Sequence, residues 1–160
     1  MTLTQASQPV IQFAEEQHLV GAKQLSDLHK NELGFVNRAI LKKAIAAHEL
    51  LVALYPEPPN EAEHKIDIAG FAHFYLRRDS IMTLYSIVVN REYQGKGLGR
   101  QLFGALINEA RERGKNQIYL KCPSELPANL FYERLGLEIL RVDEGKHRPL
   151  NVWVYSIKTS

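Results

Sequence analysis

The spacing of apolar residues changes several times along the chain, and each change predicts a new secondary-structure element. A short strand is predicted at residues 10–13, followed by a loose helical stripe over residues 19–33 that ends at Gly34. A second helix is predicted to begin after Asn37, whose side chain suits the N-cap because it can accept a hydrogen bond from the first helical turn. The chain therefore opens with a strand and two helices.

Two apolar runs come next and predict a pair of strands. The first spans residues 50–55 and the second residues 66–76, and a polar, proline-bearing segment at residues 56–65 forms the hairpin loop between them. The acidic side chains of this loop are Glu57, Glu61 and Glu63. An acidic cluster in a loop is more typical of a solvated surface than of a cation-binding site.

The centre of the chain combines a predicted strand, a glycine-rich loop and a helix. The strand, residues 81–90, ends with three apolar residues in a row, Ile87, Val88 and Val89, which is typical of a strand buried on both faces. The loop is Gln94-Gly95-Lys96-Gly97-Leu98-Gly99. From Leu98 onward apolar residues recur at helical spacing, and Gly114 is the predicted C-terminal stop. A helix therefore begins inside the glycine loop.

This loop has the chemistry of a phosphate-binding site. The first turn of a helix presents backbone N–H groups without partners and the positive end of the helix dipole. Glycines at 95, 97 and 99 allow positive φ and a close approach of an anion to the backbone, and Lys96 and Arg100 add positive charge. The dinucleotide fingerprint needs glycine where the chain has Arg100, and a Walker loop needs Ser or Thr after the Gly-Lys pair. The spacing therefore excludes both of these nucleotide-binding motifs.

The pattern in the last third of the chain predicts one more crossover connection and then a hairpin of two strands. A strand at residues 116–122 follows the helix, and a parallel pair with the preceding strand would place a ligand near their carboxyl ends, at Val89 and Cys122. A short helix is predicted over residues 126–135. Two further strands are predicted at residues 137–142 and 150–157, joined by a turn that contains the basic triplet Lys146, His147 and Arg148. That triplet fits a solvated turn better than a binding site.

Composition narrows the class of protein. A chain of 160 residues with 45% hydrophobic and 24% charged residues predicts a single folded domain, residues 1–160, and a net charge of +2 does not indicate a nucleic-acid or membrane partner. The single cysteine, Cys122, cannot form an internal disulfide, and we interpret it as a small buried hydrophobe. The histidines show no metal-ligand spacing, so no metal is predicted. Residues 1–12 lack a secretion signal, and a cytoplasmic protein is expected.

Two motifs in this order resemble the GNAT superfamily of N-acetyltransferases. Gln94, Gly95, Gly97 and Gly99 match the acetyl-CoA signature of that family, which directly follows a strand. The second motif matches at Ala128, Tyr132, Glu133, Arg134, Leu135 and Gly136, with Leu137 in place of the usual phenylalanine. Two motifs on the expected elements are more specific than either alone.

The resemblance implies a fold and a donor. The fold would be α+β, with a mixed, mostly antiparallel central sheet of six to seven strands, about four helices, and central strands splayed apart near Val89 and Cys122. Acetyl-CoA would be the cosubstrate. Its pantetheine arm would pair with the strand at Ile87, Val88 and Val89, and its pyrophosphate would lie on the amides of Gln94, Gly95, Lys96, Gly97, Leu98 and Gly99, beside Arg100.

The resemblance also implies transfer of acetyl to a primary amine by direct attack in a ternary complex. The acceptor would be a small molecule, a peptide or a protein, and a homodimer is compatible with the family. The attacking amine must lose a proton, the carbonyl oxygen needs hydrogen-bond donors, and the departing thiolate benefits from an O–H aimed at sulfur. By resemblance Tyr132 supplies that O–H.

Departures from the family pattern leave two roles open. Many relatives have a cofactor-contacting asparagine where this chain has Glu125, and Asn129 is predicted either to replace it or to serve as a capping or solvent-facing amide. The strand before the loop carries no acidic base, so His73 is the candidate base, with Glu49 or a water chain as alternatives. This gap keeps a second hypothesis open, a catalytically weak acyl-CoA-binding or interaction module.

Overall fold

The computed structural model describes residues 8–33, 36–55, 68–77 and 79–158. Seven strands form one sheet: β1 Val10–Phe13, β2 Leu50–Leu54, β3 Gly70–Leu76, β4 Ile81–Val89, β5 Gln117–Pro123, β6 Glu138–Glu144 and β7 Pro149–Ser156. The α-helices are α1 Leu19–Leu28, α2 Lys30–Leu33, α3 Arg38–Ala46, α4 Leu98–Glu112 and α5 Ala128–Arg134. Short 3₁₀ turns at Glu16–His18 and Arg91–Tyr93 complete the described elements.

The sheet has the order β1-β2-β3-β4-β5-β7-β6. Every neighbouring pair is antiparallel except β4 and β5, which are parallel. The predicted mixed, mostly antiparallel sheet is thereby confirmed, with seven strands. The closing hairpin is also confirmed, and β7 lies between β5 and β6.

The two parallel strands diverge after a short contact. Residues Ile81–Thr83 of β4 pair with Gln117–Tyr119 of β5, whereas β4 stays paired with β3 as far as Val89 and β5 stays paired with β7 as far as Pro123. The carboxyl halves of β4 and β5 therefore face each other across a gap without forming a ladder. This is the predicted splay, and it creates two open strand edges in the middle of the sheet.

A β-bulge in β4, at the start of the gap, reverses the face of the sheet to which alternate side chains of the strand point. His73 lies opposite Ser86 and Phe74 lies opposite Leu84, so Tyr85 is the extra residue. Before the bulge Met82 and Leu84 face the α4 side of the sheet, and after it Ile87 and Val89 do so. The bulge therefore changes which side chains of β4 face each side of the sheet, next to the gap.

Helices cover the two faces of the sheet to different extents. Leu102, Phe103 and Leu106 of α4 are at most 2% exposed and pack on strand residues from β2 to β7. On the opposite face α1 and α3 pack on Leu50, Val52, Phe71 and Val88, all from β2, β3 or β4. Among the described residues, no strand residue of β5 to β7 belongs to this second core. Half of that face is left open.

Some predicted bounds differ from the structure. The helix predicted over residues 19–33 is interrupted at His29, because this residue leaves the helical conformation and buries its side chain. The short helix begins at Ala128 rather than residue 126, since Leu126 and Pro127 form the preceding turn. Asn37 caps α3 as predicted, accepting from the Ile40 N–H at 2.8 Å. Gly34, residues 56–65 with their three glutamates, and the start of the strand predicted at residue 66 lie outside the described residues.

Within the described part of the chain, no helix is both long enough and apolar enough to cross a membrane.

Candidate functional site

The N-terminus of α4 begins at a glycine in the left-handed region. Gly97 is the N-cap residue with φ 79°, and no side chain caps this end of the helix. The first helical hydrogen bond runs from the Gln101 N–H to the Gly97 carbonyl, at 3.1 Å. The preceding N–H groups of the first turn belong to Leu98, Gly99 and Arg100, and they point out of the helix end with its positive dipole. This end of the helix suits an anionic group.

The glycines of the loop act in different ways. Gly95 and Gly97 have φ of 81° and 79°, a region that side-chain-bearing residues rarely adopt. Gly99 allows close packing, because an added Cβ would lie 2.9 Å from Cζ of Phe131. Gln94 fixes the start of the loop through its Nε2, which donates to the Val89 carbonyl at 3.1 Å. The loop is thereby tied to the end of β4.

A cavity of about 770 Å³ lies in front of this loop. It brings together most of the predicted cofactor residues: Ile87, Val88, Val89, Gln94, Gly95, Gly97, Leu98, Gly99, Arg100 and Tyr132. We call it the donor cavity. Arg134 adds a second guanidinium to its lining, and Phe131 adds an aromatic wall. A helix end suited to an anion and several apolar side chains therefore line one cavity.

A second cavity, of about 690 Å³, lies beyond the gap between β4 and β5. We call it the acceptor cavity. It shares the side chains of Ile87, Leu126, Ala128 and Tyr132 with the donor cavity. Its floor comes from β5 and β7, including Tyr119 and Val152, on the half of the sheet that the helices leave open. The two cavities therefore adjoin at these shared residues, beside the gap between β4 and β5, and we refer to them together as the cleft.

Tyr132 stands where the two cavities meet. It is 9% exposed, and its ring packs near those of Phe131 and Trp153, with centroid distances of 5.6 and 6.4 Å. The ring is therefore packed against two aromatic neighbours while the residue lines both cavities. This is the position that a proton donor to a group crossing the gap would need.

Asn129 holds α5 against the sheet instead of lining the donor cavity. Its Nδ2 donates to the carbonyls of Pro123 and Leu126, and its Oδ1 accepts from Asn151 Nδ2 and Trp153 Nε1. These four hydrogen bonds, at 2.8–3.1 Å, use both amide hydrogens and the carbonyl oxygen. Asn129 thus fixes the helix that carries Tyr132, and its contact with the cofactor stays a prediction.

Lys96 is also outside the donor cavity. Its Nζ lies 5.8 Å from the ring centroid of Tyr93, and the residue is exposed. The side chain contributes positive charge to the loop surface, and its contact with a phosphate stays a prediction.

The structure places His73 behind Tyr85, which lines the acceptor cavity, and His73 itself lines neither the donor nor the acceptor cavity. The residue is 1% exposed, and its ring lies 4.9 and 5.2 Å from those of Tyr75 and Tyr85. It lines a separate cavity of about 340 Å³ together with Glu49, whose Oε2 accepts from the Leu76 N–H at 2.6 Å. His73 Nε2 has no hydrogen-bond partner among the described residues. Neither predicted base candidate lines the donor or acceptor cavity.

Burial also makes His73 a weak base. Loss of solvent lowers its pKa from 6.5 to about 4, so the imidazole is neutral near pH 7. An alkyl ammonium with a pKa of ~10 would not give its proton to such a group efficiently. The chemistry and the position together argue against His73 as the general base.

The lowered pKa of His73 predicts a specific loss of stability in acid. The unfolded chain binds a proton near pH 6.5 and the folded chain only near pH 4, so the free energy of unfolding falls as the pH decreases through this window. The full effect is at most about 3 kcal/mol. His73→Phe, which keeps a ring, should flatten the difference between urea unfolding at pH 7 and pH 4.5. The exposed His147→Asn variant should keep the wild-type difference, and equal profiles for all three proteins would contradict the assignment.

Cys122 is buried, as predicted, and is the free cysteine of the chain. Burial raises the pKa of its thiol to about 11, so it is protonated and a poor nucleophile at neutral pH. Among the described residues, no group of three or more His, Cys, Asp or Glu side chains is arranged to hold a metal.

A family comparison agrees with this geometry. The model of the acetyltransferase (GNAT) family matches residues 41–137, which is more than half of the chain. The chain belongs to the GNAT acetyltransferase family. The matched region contains the glycine loop, α4, the β4–β5 gap and Tyr132, so family membership and the cleft rest on the same residues.

Individual relatives and solved structures extend the comparison. The chain is 35% identical over 69 residues to the [ribosomal protein bS18]-alanine N-acetyltransferase of Haemophilus influenzae, a match that covers 43% of this chain and 47% of the relative. The chain thus spans about half the length of that relative. Ard1 of Thermoplasma volcanium has the same fold with a TM-score of 0.78 at 12% identity, over 94% of this chain and 99% of Ard1. The protein yncA of Salmonella typhimurium, solved with its cofactor acetyl-CoA, has a TM-score of 0.69 at 22% identity, over 96% of each chain.

The structure of this GNAT protein also shows cavity-lining residues that the sequence alone did not indicate. His29 lines the donor cavity, at the break between α1 and α2, and Leu33 lines the acceptor cavity. Lys121 and Arg141 lie on different strands and meet only through the pairing of β5, β7 and β6. The alternation of β5 could have indicated that Lys121 faces away from its apolar neighbours Leu120 and Cys122, but not which residues lie beside it.

Proposed function

We propose that this GNAT-family protein transfers an acetyl group from acetyl-CoA to a primary amine by direct attack within a ternary complex. The observation that carries the proposal is the shared cleft. A helix end suited to phosphate lies at one side, Tyr132 lies at the junction, and an open acceptor cavity lies beyond it.

The residues of the donor cavity fit a coenzyme A molecule. The N–H groups of Leu98, Gly99 and Arg100 would hold the pyrophosphate, and the guanidinium groups of Arg100 and Arg134 would offset its charge. The open edge of β4 beyond Thr83 would pair with the amides of the pantetheine arm, as an added strand pairs with a sheet edge. An unpaired edge inside a sheet is otherwise costly, which supports a ligand with amide groups at this place.

When bound, acetyl-CoA supplies a thioester carbonyl that an amine can attack and a thiolate that must leave. Backbone N–H groups of β4 beside the Tyr85 bulge would stabilise negative charge on the carbonyl oxygen. The Tyr132 hydroxyl would donate a proton toward the leaving sulfur. The proton of the acceptor would leave through water in the acceptor cavity, because His73 lies outside it. In this scheme the chain positions both reactants and supplies one acid.

Direct attack fits the state of Cys122 better than an acyl-enzyme does. A thiol with a pKa near 11 is protonated at neutral pH, and the chain has no other cysteine. The acetyl group is therefore proposed to pass straight to the amine.

Binding of acetyl-CoA should raise the melting temperature. A ligand that binds only the folded protein adds about 2.7 kcal/mol of stability at 100 times its Kd. The measurement is a thermal unfolding series with acetyl-CoA and with CoA, and calorimetry provides Kd. No shift with either compound at millimolar concentration would contradict the proposed donor.

An acyl-CoA-binding module without turnover is the second candidate. The specific observation in its favour is the lining of the acceptor cavity, which contains no carboxylate and no histidine among the described residues. Release of free thiol from acetyl-CoA over a panel of amines separates the two hypotheses. Tight CoA binding with no amine turned over would support the module.

A further inference from the structure

The charged side chains that line the acceptor cavity are all cationic. They are Arg77, Lys121, Arg141 and Arg148. No Asp or Glu is among the described residues of the lining. A cavity that had to receive a simple cationic amine would be expected to carry the opposite charge, since like charges repel. The lining therefore selects for a feature of the acceptor other than its amine.

The strand register places two of these cations side by side. Lys121 of β5 lies opposite Val152 of β7, and Val152 lies opposite Arg141 of β6. Opposed residues of neighbouring strands point to the same face of a sheet, so Lys121 and Arg141 flank Val152 on one face. Val152 lines the acceptor cavity as well, which fixes the face as the one that the cavity occupies. We call Lys121 and Arg141 the cationic pair.

Nearby carboxylates offset only part of this charge. Asp143 accepts from Arg141 at 2.8 Å and lies 3.2 Å from Lys121 Nζ, and Glu125 lies 2.8 Å from Arg148. Hydrogen bonds from Arg141 and Lys121 lower the pKa of Asp143, so it is ionised at neutral pH. Four cations and two carboxylates leave a local net charge of +2.

These ion pairs can exchange for a ligand. Every side chain in them is between 29% and 62% exposed. Exposed pairs of this kind are weak, and long side chains at a cavity wall can rearrange around a better anion at little cost. Arg77, which has no ion pair among the described residues, provides a further positive charge at the opposite wall, on the β3 side.

The position of the cationic pair fits the proposed reaction. The phosphate-binding end of α4 occupies the far side of the cleft, so the acceptor must enter through the acceptor cavity and present its amine near Tyr132. An anionic group on the same molecule would then bind the cationic pair, and the amine would be oriented by a second point of attachment. A cavity of about 690 Å³ has room for a small molecule or the first residues of a peptide.

We propose that the acceptor is an amine that also carries a carboxylate, and that Lys121 and Arg141 bind this carboxylate. The proposal rests on the proposed acetyl transfer and adds the class of acceptor. Two kinds of acceptor carry such a carboxylate. One is a free amino acid, through its α-carboxylate, and the other is a peptide with a free N-terminus, through acidic side chains in its first residues.

Matched acceptor pairs test the proposal and distinguish the two sources. The first pair is L-phenylalanine and L-phenylalaninamide, in which a neutral amide replaces the carboxylate; since this also lowers the pKa of the amine, kcat/KM is compared per deprotonated amine. The second pair is the amidated peptides Ala-Glu-Glu-Ala and Ala-Gln-Gln-Ala. The carboxylate-bearing member of one pair should have a kcat/KM about tenfold or more above its neutral partner, because charge-assisted hydrogen bonds are the strong ones. The pair that shows the preference identifies the source.

Substitutions then link the preference to the cationic pair. Lys121→Gln and Arg141→Gln should each reduce kcat/KM for the preferred acidic acceptor by about tenfold, through KM, with little change for its neutral partner. Asp143→Asn should instead raise kcat/KM for the acidic acceptor, because it removes the carboxylate that pairs with both Lys121 and Arg141. Arg113→Gln, at the C-cap of α4 and paired with Glu109 at 2.9 Å, is the control and should match the wild type on every acceptor.

The outcomes separate this proposal from the acetyl-transfer proposal itself. If acetyl-CoA does not bind by calorimetry, the donor assignment fails first. If acetyl-CoA binds and neutral amines are turned over as fast as acidic ones, or no member of either pair is turned over, the carboxylate proposal is overturned while the donor assignment stands. A preference for acidic acceptors that survives both Lys121→Gln and Arg141→Gln would overturn the assigned residues.

Discussion

Replacement of Tyr132 by phenylalanine is expected to reduce kcat by about 100-fold while the KM values change little. The change keeps the ring, which packs near Phe131 and Trp153, and deletes only the hydroxyl. If that hydroxyl donates to the departing sulfur, its contribution arises in the transition state, and an interaction made only there changes kcat and not binding. The melting temperature and the Kd for acetyl-CoA should therefore stay close to those of the wild type.

The matched control is Tyr155→Phe. Tyr155 lies on β7, packs edge-on against Phe103 with centroids 5.3 Å apart, and lines neither cavity among the described residues. Deletion of its hydroxyl should leave kcat unchanged. The pH profile gives an independent readout, because an alkaline limb that reports the Tyr132 proton should shift or vanish in Tyr132→Phe and persist in Tyr155→Phe. A Tyr132→Phe enzyme with wild-type turnover would assign Tyr132 to packing, and protonation of the thiolate to water.

Local patterns in the sequence were sufficient to predict most of the elements. All seven predicted strands are present, with ends that differ by up to two residues where they are described, apart from β3, which begins at Gly70. Alternation and apolar runs are local properties, so one strand can be recognised without its neighbours. The α4 helix and its start at a glycine could also be predicted, because both the helical spacing of apolar residues and the effect of Gly97 on the backbone are local properties.

The features that the sequence did not predict depend on register or on distant partners. The hydrogen-bond partners of Asn129 include Asn151 and Trp153, which are 22 and 24 residues away, so its structural role was invisible from the helix alone. His73 was chosen as a titratable residue on a strand, but its position in a separate cavity depends on packing that no local pattern reports. The bulge at Tyr85 and the cationic pair likewise exist only once the strands are aligned.

The gap between β4 and β5 is an intermediate case. Its existence was implied by the family resemblance of the two motifs, and the strand pairing confirms it. Neither strand shows it by composition, since both are apolar enough to continue a ladder beyond Thr83 and Tyr119. What can be seen only in the folded chain is that the Asn129 hydrogen bonds to Pro123, Asn151 and Trp153 hold α5 against the end of β5 and against β7, beside the gap.

Gly97→Val is expected to weaken acetyl-CoA binding by about 100-fold or more, because several charge-assisted backbone hydrogen bonds depend on the loop conformation. Gly97 has φ 79°, where a side-chain-bearing residue costs roughly 1–2 kcal/mol and a β-branched one more. No atom lies within 4 Å of an added Cβ, so the strain comes from the backbone and not from a clash inside the protein. The loop should relax by moving the N–H groups of the first α4 turn out of alignment.

Two further glycine variants separate backbone strain from a general loss of stability. Gly97→Asn should lose less affinity than Gly97→Val, because asparagine tolerates the left-handed region. Gly104→Ala, in the middle of α4 with open space around an added Cβ, should raise stability by about 0.5–1 kcal/mol and leave the Kd unchanged. Calorimetric titration with acetyl-CoA, run beside circular dichroism melts of each variant, gives both quantities. A Gly97→Val protein that is folded and binds acetyl-CoA as the wild type does would show that the phosphates are held elsewhere, and would remove α4 from the donor site.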